Sequence, residues 1–382
     1  LALPVQTKQA STRNKKSRRR FLKAAGTALA TGPWIVRDAF SSSGELNVMM
    51  WSDHLPANII NGFEKSTGIK IRHHPYGSND ELLNKTMAIA GRGFDLIEPT
   101  ALKALQWKDL NLLQPFDMNK APYARYKADM LGRSLENWTW KGKVYHLPFI
   151  WGTEALSWET TKWNSSYDQL SYGDLWAEDV FGRVMGRPHS LMLGIGLYLD
   201  RIGEIPSNRM LDTYKNEKTM RRIWSEITEF AIQNKNRLKV FWTDVDTQKS
   251  GFVDNGVVLG QTWEGPASTL RSEGRTIQFM APQEGALAWM DGMALLKNAK
   301  NVEQVYAFLD YTARPDVAGQ LASEIGYHPV VVGAEKYLSD NAKTNFQIAY
   351  PDNALENLWW WQPEPPWYAV ARSEFRDQYL AA

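Results

Sequence analysis

The chain has 382 residues, enough for two lobes. It has no Cys, which excludes disulfides, thiolate chemistry and Cys-held metals. Its formal net charge of +2 hides a division: residues 1–37 hold nine basic side chains and no acidic one, so the remainder carries −7. An acidic body argues against nucleic acid as a partner, because phosphate contacts need basic surface. It suits a cationic or neutral ligand, and 17 Trp supply broad aromatic faces to meet one.

Residues 1–16 are polar and basic, without apolar periodicity. Ser17-Arg18-Arg19-Arg20-Phe21-Leu22-Lys23, followed by the mildly apolar Ala24–Ala30, has the pattern of a twin-arginine export signal. The apolar run is too short to span a bilayer. It predicts delivery by the Tat translocase to the periplasm. Ser41-Ser42-Ser43-Gly44 reads as a spacer, so residues 1–43 form signal and spacer.

The fold is expected to begin as strand, helix, strand. Leu46–Trp51 is a near-continuous apolar run, as in a sheet covered on both faces. Pro56 opens a helix carrying Ile59, Ile60 and Phe63, and Gly68 ends it. Residues 69–71 form the next strand, Asn79 caps a helix that Gly91 stops, and residues 94–97 form a third strand. Such alternation predicts α/β architecture with a parallel sheet. Ligands then bind beyond the carboxyl ends of the strands, where Trp51-Ser52-Asp53-His54 and Glu98-Pro99-Thr100 lie. Trp138, Trp140, Gly142 and Tyr145 suggest a hairpin, and residues 147–158 read as strand. Residues 220–232 show helical spacing, and residues 257–263 form a strand ending in the pair Trp263-Glu264.

The most informative stretch is Gly285–Leu296. It reads as a buried strand in which Trp289 and Asp291 share one face. A carboxylate in an apolar run is costly without a partner, and a Trp π-face attracts cations. The pair therefore points to an ammonium; a turn-capping Asp beside a core Trp is the plainer alternative. A helix follows at 302–312, Gly326–Pro329 is expected as a loop, and the end is aromatic and proline-rich.

Trp51-Ser-Asp-His-Leu-Pro, Phe63-Glu-Lys-Ser-Thr-Gly-Ile-Lys, Pro148-Phe-Ile-Trp-Gly, Trp289-Met-Asp and Arg314-Pro-Asp-Val-Ala with Ile325-Gly-Tyr resemble the periplasmic receptors of spermidine/putrescine ABC importers. The resemblance covers residues 46–382. It implies an α/β, two-lobe periplasmic-binding-protein fold, with hinge-joined lobes each built on a central mixed sheet flanked by helices. One lobe would comprise 44–148 and 289–320, the other 149–288 and 321–382. It implies a monomeric receptor, not an enzyme, that hands an amine-bearing solute to a membrane permease without a cofactor. Matching ligand positions are Trp51, Asp53, Trp263, Trp289, Asp291, Tyr327 and Gln362, with Thr100 at a hydroxyl-bearing position; Ser52 and Glu264 adjoin them.

Two departures bear on the ligand. His54 stands where the family's first motif carries an aromatic. Gly186-Arg187-Pro188-His189-Ser190 aligns with a loop that holds two carboxylates in polyamine receptors, yet it has no acid and a fixed positive charge at Arg187. An amine at one end and an acid at the other, as in an amino-acid derivative or opine, is the alternative to a polyamine; Glu154 or Glu264 replacing the missing acids would restore the first reading. His189 belongs to the same candidate set. Gly194-Ile-Gly196-Leu-Tyr-Leu199 lacks the third glycine of a dinucleotide fingerprint. His73-His74 lacks the spacing of a metal site, so no metal is expected. A secreted carbohydrate-active enzyme using Asp53 and Asp291 is the rival class.

Overall fold

The computed structural model describes residues 44–382; the expected export signal and spacer lie outside them. The strands among these residues are β1 (Glu45–Trp51), β2 (Lys70–Tyr76), β3 (Leu96–Ile97), β4 (Thr139–Trp140), β5 (Lys143–Val144), β6 (Leu147–Glu159), β7 (Val184–Gly186), β8 (Leu238–Phe241), β9 (Leu259–Trp263), β10 (Ile277–Met280), β11 (Leu287–Leu295), β12 (His328–Pro329) and β13 (Trp359–Trp360). Apart from the hairpin β4–β5, they join in the order β2-β1-β3-β11-β6-β9-β7-β8, with β10 and β12 also on β6 and β13 on β11. The two ends, β2-β1-β3 and β9-β7-β8, are parallel. The antiparallel strands β11 and β6 join them, giving one curved mixed arrangement flanked by helices.

Local chemistry sets the first unit. Pro56 precedes the helix Ala57–Thr67, and Gly68 closes it at φ 76° with its N–H on the Glu64 carbonyl. The next helix, Asn79–Ala88, is capped by Ser78 instead of Asn79: the Ser78 hydroxyl accepts from the Glu81 N–H at 3.2 Å. Asn79 is thereby free to bond Thr100, donating to its Oγ1 at 2.8 Å and accepting from its N–H at 3.1 Å.

β6 is a single strand of 13 residues, buried almost throughout. Its start pairs with β11, and its second half pairs with β9 and β10. Gly326–Pro329, expected as a loop, instead ends in β12, where His328 and Pro329 pair with Trp151 and Ile150. A bulge at Asp291/Gly292 bends β11 where it meets the loop after β3; Thr100 forms an isolated bridge with Asp291 there.

Two hydrophobic cores flank the joining strands. One packs Leu46, Val48, Phe63, Leu96 and Phe308, with Phe63 edge-on to Phe308 at 5.4 Å. The other packs the helices Pro188–Arg201, Glu217–Gln233 and Pro366–Ala381 through Leu191, Trp224, Ile227, Tyr368 and Tyr379. Each fully buried large aliphatic or aromatic side chain contributes about 1.5–3 kcal/mol. Residues 194–199, weighed as a nucleotide fingerprint, are interior to the helix Pro188–Arg201.

Candidate functional site

The parallel strands end on a common cavity of about 450 Å³. Trp51 closes β1 and sends Asp53 and His54 into it; the loop after β3 supplies Thr100; Arg187 follows β7 and His189 lies in the first turn of the helix Pro188–Arg201; β9 ends on Trp263; β11 gives Trp289 and Asp291; Tyr327 precedes β12. For the residues after β1, β3, β7 and β9 the placement follows from strand polarity, since side chains beyond the carboxyl ends of parallel strands have no following strand to cover them. Trp289 and Asp291 come instead from within the antiparallel β11, next to its bulge.

One part of the cavity is acidic. Glu98, fully buried, holds His54 with its Oε1 2.9 Å from Nδ1, and its Oε2 accepts the Trp51 N–H at 3.2 Å. The same imidazole lies 3.8 Å from Asp53 and 3.9 Å from Asp291. Burial opposes its protonation, but Glu98, Asp53 and Asp291 prevail and raise its pKa to about 9. Burial raises Asp291 to about 7 and raises Glu98 as well, with His54 offsetting part of each shift. Asp291 Oδ1 is buried and accepts no hydrogen bond. His54, Glu98 and Asp291 are also the group of described residues whose potential metal-ligand atoms converge, within 4.8 Å. Glu98 already spends both oxygens on His54 and Trp51, which leaves Asp291 Oδ1 as the open acceptor, the Thr100 hydroxyl favouring the same carboxylate.

The walls are aromatic. Trp289 stacks on His54 with centroids 6.2 Å apart and meets Tyr327 edge-on at 4.9 Å. Trp51 meets Trp263 edge-on at 6.1 Å. Glycine makes the Trp289–Tyr327 contact possible: a Cβ at Gly152 would lie 2.7 Å from each ring, and one at Gly265 would lie 2.6 Å from Tyr327. A third wall is basic. Arg187 lies over the faces of Trp263, at 4.9 Å, and Trp242, at 5.6 Å. Lys103 and Arg372 also line the cavity, both bound to buried Glu364, at 2.7 and 3.0 Å. Burial lowers His189 well below its ordinary value, helped by Arg187, Arg372, Lys103 and Arg376.

Residues 58–349 match the family model described as bacterial extracellular solute-binding protein. The chain belongs to that family. Such proteins are receptors of ABC importers; they bind a small solute in a cleft between two lobes, outside the cytoplasmic membrane, and pass it to a cognate permease without catalysis. This receptor is 26% identical over 361 residues to the spermidine/putrescine-binding periplasmic protein of Escherichia coli (strain K12), covering 94% of this chain and 97% of that one. It is 25% identical over 302 residues to the putrescine/agmatine-binding protein of Pseudomonas aeruginosa, 76% and 79% of the two chains. Among solved structures, a putative spermidine/putrescine ABC transporter protein from Listeria monocytogenes superposes with a TM-score of 0.73 at 22% identity, over 88% of this chain and 99% of that one. MotA from A. tumefaciens B6, in complex with glucopine, superposes with a TM-score of 0.65 at 15% identity, over 88% and 98%.

Not every residue singled out in the sequence reaches the receptor's cavity. Ser52 is exposed and does not line it. Glu264 lies buried to one side, accepting from the Tyr350 hydroxyl at 2.5 Å and 2.8 Å from His328 Nε2. Gln362 lines a second, smaller cavity of about 120 Å³ and donates to the Trp360 carbonyl. His73 meets the Met50 carbonyl at 3.3 Å and takes no part in the converging group. Conversely, Lys103, Glu364 and Arg372 carried no motif. Their only trace is the helical spacing of Tyr368, Ala371, Arg372, Phe375 and Tyr379, with a charge placed on the apolar face.

Proposed function

We propose that this receptor captures a small amine-bearing solute, polyamine-like at its ammonium end, with Asp291 taking that ammonium and Trp51, Trp263, Trp289 and Tyr327 forming the walls. The observation that carries this reading is the unpartnered, buried Asp291 Oδ1 in a cavity that Trp289 also lines. A desolvated carboxylate binds a cation far more strongly than a neutral donor, and the aromatic faces favour a cation further. The relatives that bind spermidine and putrescine, or putrescine and agmatine, support the same chemistry. The reading includes export by the Tat pathway, a monomeric state, and closure of lobes 44–148/289–320 and 149–288/321–382 about β6 and β11. A thermal-shift screen of polyamines, amino acids, betaines and sugars tests it. A ligand at a hundred times its dissociation constant stabilises by about 2.7 kcal/mol. Saturable stabilisation by amine-bearing solutes is expected; stabilisation by amine-free solutes alone contradicts the reading.

A further inference from the structure

The basic residues lining the cavity are not equivalent. Lys103 and Arg372 are neutralised by Glu364, at 2.7 and 3.0 Å. Arg376 pairs with Asp377 at 2.8 Å. Arg187 has no carboxylate within 4.0 Å among the described residues; Glu154, Asp80 and Asp291 act on it only at longer range. Glu154 also lines the cavity and is the nearest such charge by its effect, but it accepts from the Gln261 side chain at 3.2 Å and burial raises it to about 7 against the pull of Arg187. The Arg187 guanidinium is nonetheless fixed, lying over the faces of Trp263 and Trp242. It also sits at the start of the 14-residue helix Pro188–Arg201, whose first-turn N–H groups favour an anion. Trp263 touches both sides of the cavity: Arg187 packs on its face at 4.9 Å, while Trp51, which leads into the Asp53–His54 loop, meets it edge-on at 6.1 Å.

A planar, half-buried guanidinium held against two indoles, with no carboxylate in salt-bridge contact among the described residues, matches a planar oxyanion that accepts both arms of its fork. A second ammonium at this point meets a fixed positive charge instead. We propose that the solute carries a carboxylate at the end remote from its ammonium, and that Arg187 receives it. This rests on the reading of Asp291 as the ammonium acceptor and adds the chemistry of the other end. The cavity thus selects ω-amino acids and related zwitterions over diamines of the same length.

Calorimetric titration of the exported receptor with two matched series, linear α,ω-diamines and ω-amino acids of increasing chain length, tests this. The expected result is tighter binding of the amino acids by the native protein. Arg187→Gln should weaken their binding by about tenfold or more while leaving diamine affinity equal or improved. Arg187→Lys, which keeps the charge but loses the fork, should retain the preference for the acid at reduced affinity. Unchanged apo melting temperatures establish that both variants fold; if Arg187→Gln does not, the native preference and Arg187→Lys decide. Tighter diamine binding by the native protein, or an equal loss for both series in Arg187→Gln, overturns the proposal and leaves the amine reading standing. Failure of both series to bind overturns both.

Discussion

His54 Nδ1 lies 2.9 Å from Glu98 Oε1, and both side chains are buried. The imidazolium thus occupies one side of the acidic cluster as a resident cation, stacked on Trp289 and drawn toward Asp53 and Asp291. It neutralises Glu98, whose other oxygen is tied to the β1 backbone, and leaves Asp291 as the acceptor for a second cation.

Protonation should follow from this arrangement. Asp291, raised to about 7, is protonated below that pH, and a ligand ammonium stabilises its ionised form. Amine affinity is therefore expected to rise between pH 6 and 8, at most about tenfold per pH unit, with proton release. Apo stability should move the opposite way. A carboxyl raised in the folded state loses its contribution as pH rises through the folded pKa, and so does His54, raised to about 9. The apo melting temperature should therefore fall as pH rises from about 4 to 7 through Asp291, a slope lost in Asp291→Asn, and go on falling from about 6.5 to 9 through His54. Calorimetry in buffers of different ionisation enthalpy and thermal unfolding at several pH values check both. Affinity independent of pH across this window would argue against titration of Asp291.

Glu364 joins Lys103, from the loop after β3, to Arg372 on the helix Pro366–Ala381. Glu364→Gln leaves two buried cations without their anion, and breaking a buried pair costs roughly 3–5 kcal/mol. Urea unfolding should register that loss, whereas a cost below about 1 kcal/mol would mean the cations find water.

Gly152 and Gly265 admit the rings of Trp289 and Tyr327. Gly152→Ala places a methyl against both rings, an overpacking that costs about 1–3 kcal/mol. The rings should shift into the cavity, lowering affinity along with melting temperature. Unaltered values of both would show that the wall yields without consequence.

Arg18 and Arg19 are expected to carry export. Replacing both with Lys should retain the protein in the cytoplasm on cell fractionation, and normal periplasmic yield would exclude the twin-arginine route.

Much of the architecture was legible because it is written locally. Pro56 and Gly68 bound a helix at 57–67, the apolar run at 285–296 became β11, and the helix Val302–Thr312 follows its periodicity. The cavity was legible where aromatic residues fall at strand ends, as with Trp51 and Trp263, and where a carboxylate interrupts an apolar strand, as with Asp291. Glu98 was harder to place. A carboxylate in a loop ordinarily faces water, and only the arrival of His54 from another loop makes its burial tenable. The Lys103–Glu364 pair spans 261 positions of sequence, so no local pattern encodes it. β12 is two residues long and exists only because β6 offers an edge.

The most direct test is calorimetric titration of the native receptor and Asp291→Asn with an amine-bearing solute found by screening. Charged hydrogen bonds contribute about 1.5–3 kcal/mol, so Asp291→Asn should bind roughly tenfold to a hundredfold more weakly, with an apo melting temperature unchanged or raised. Affinity within about twofold of the native protein, where the lost bond should cost at least a factor of ten, would place the ammonium elsewhere and contradict the site described.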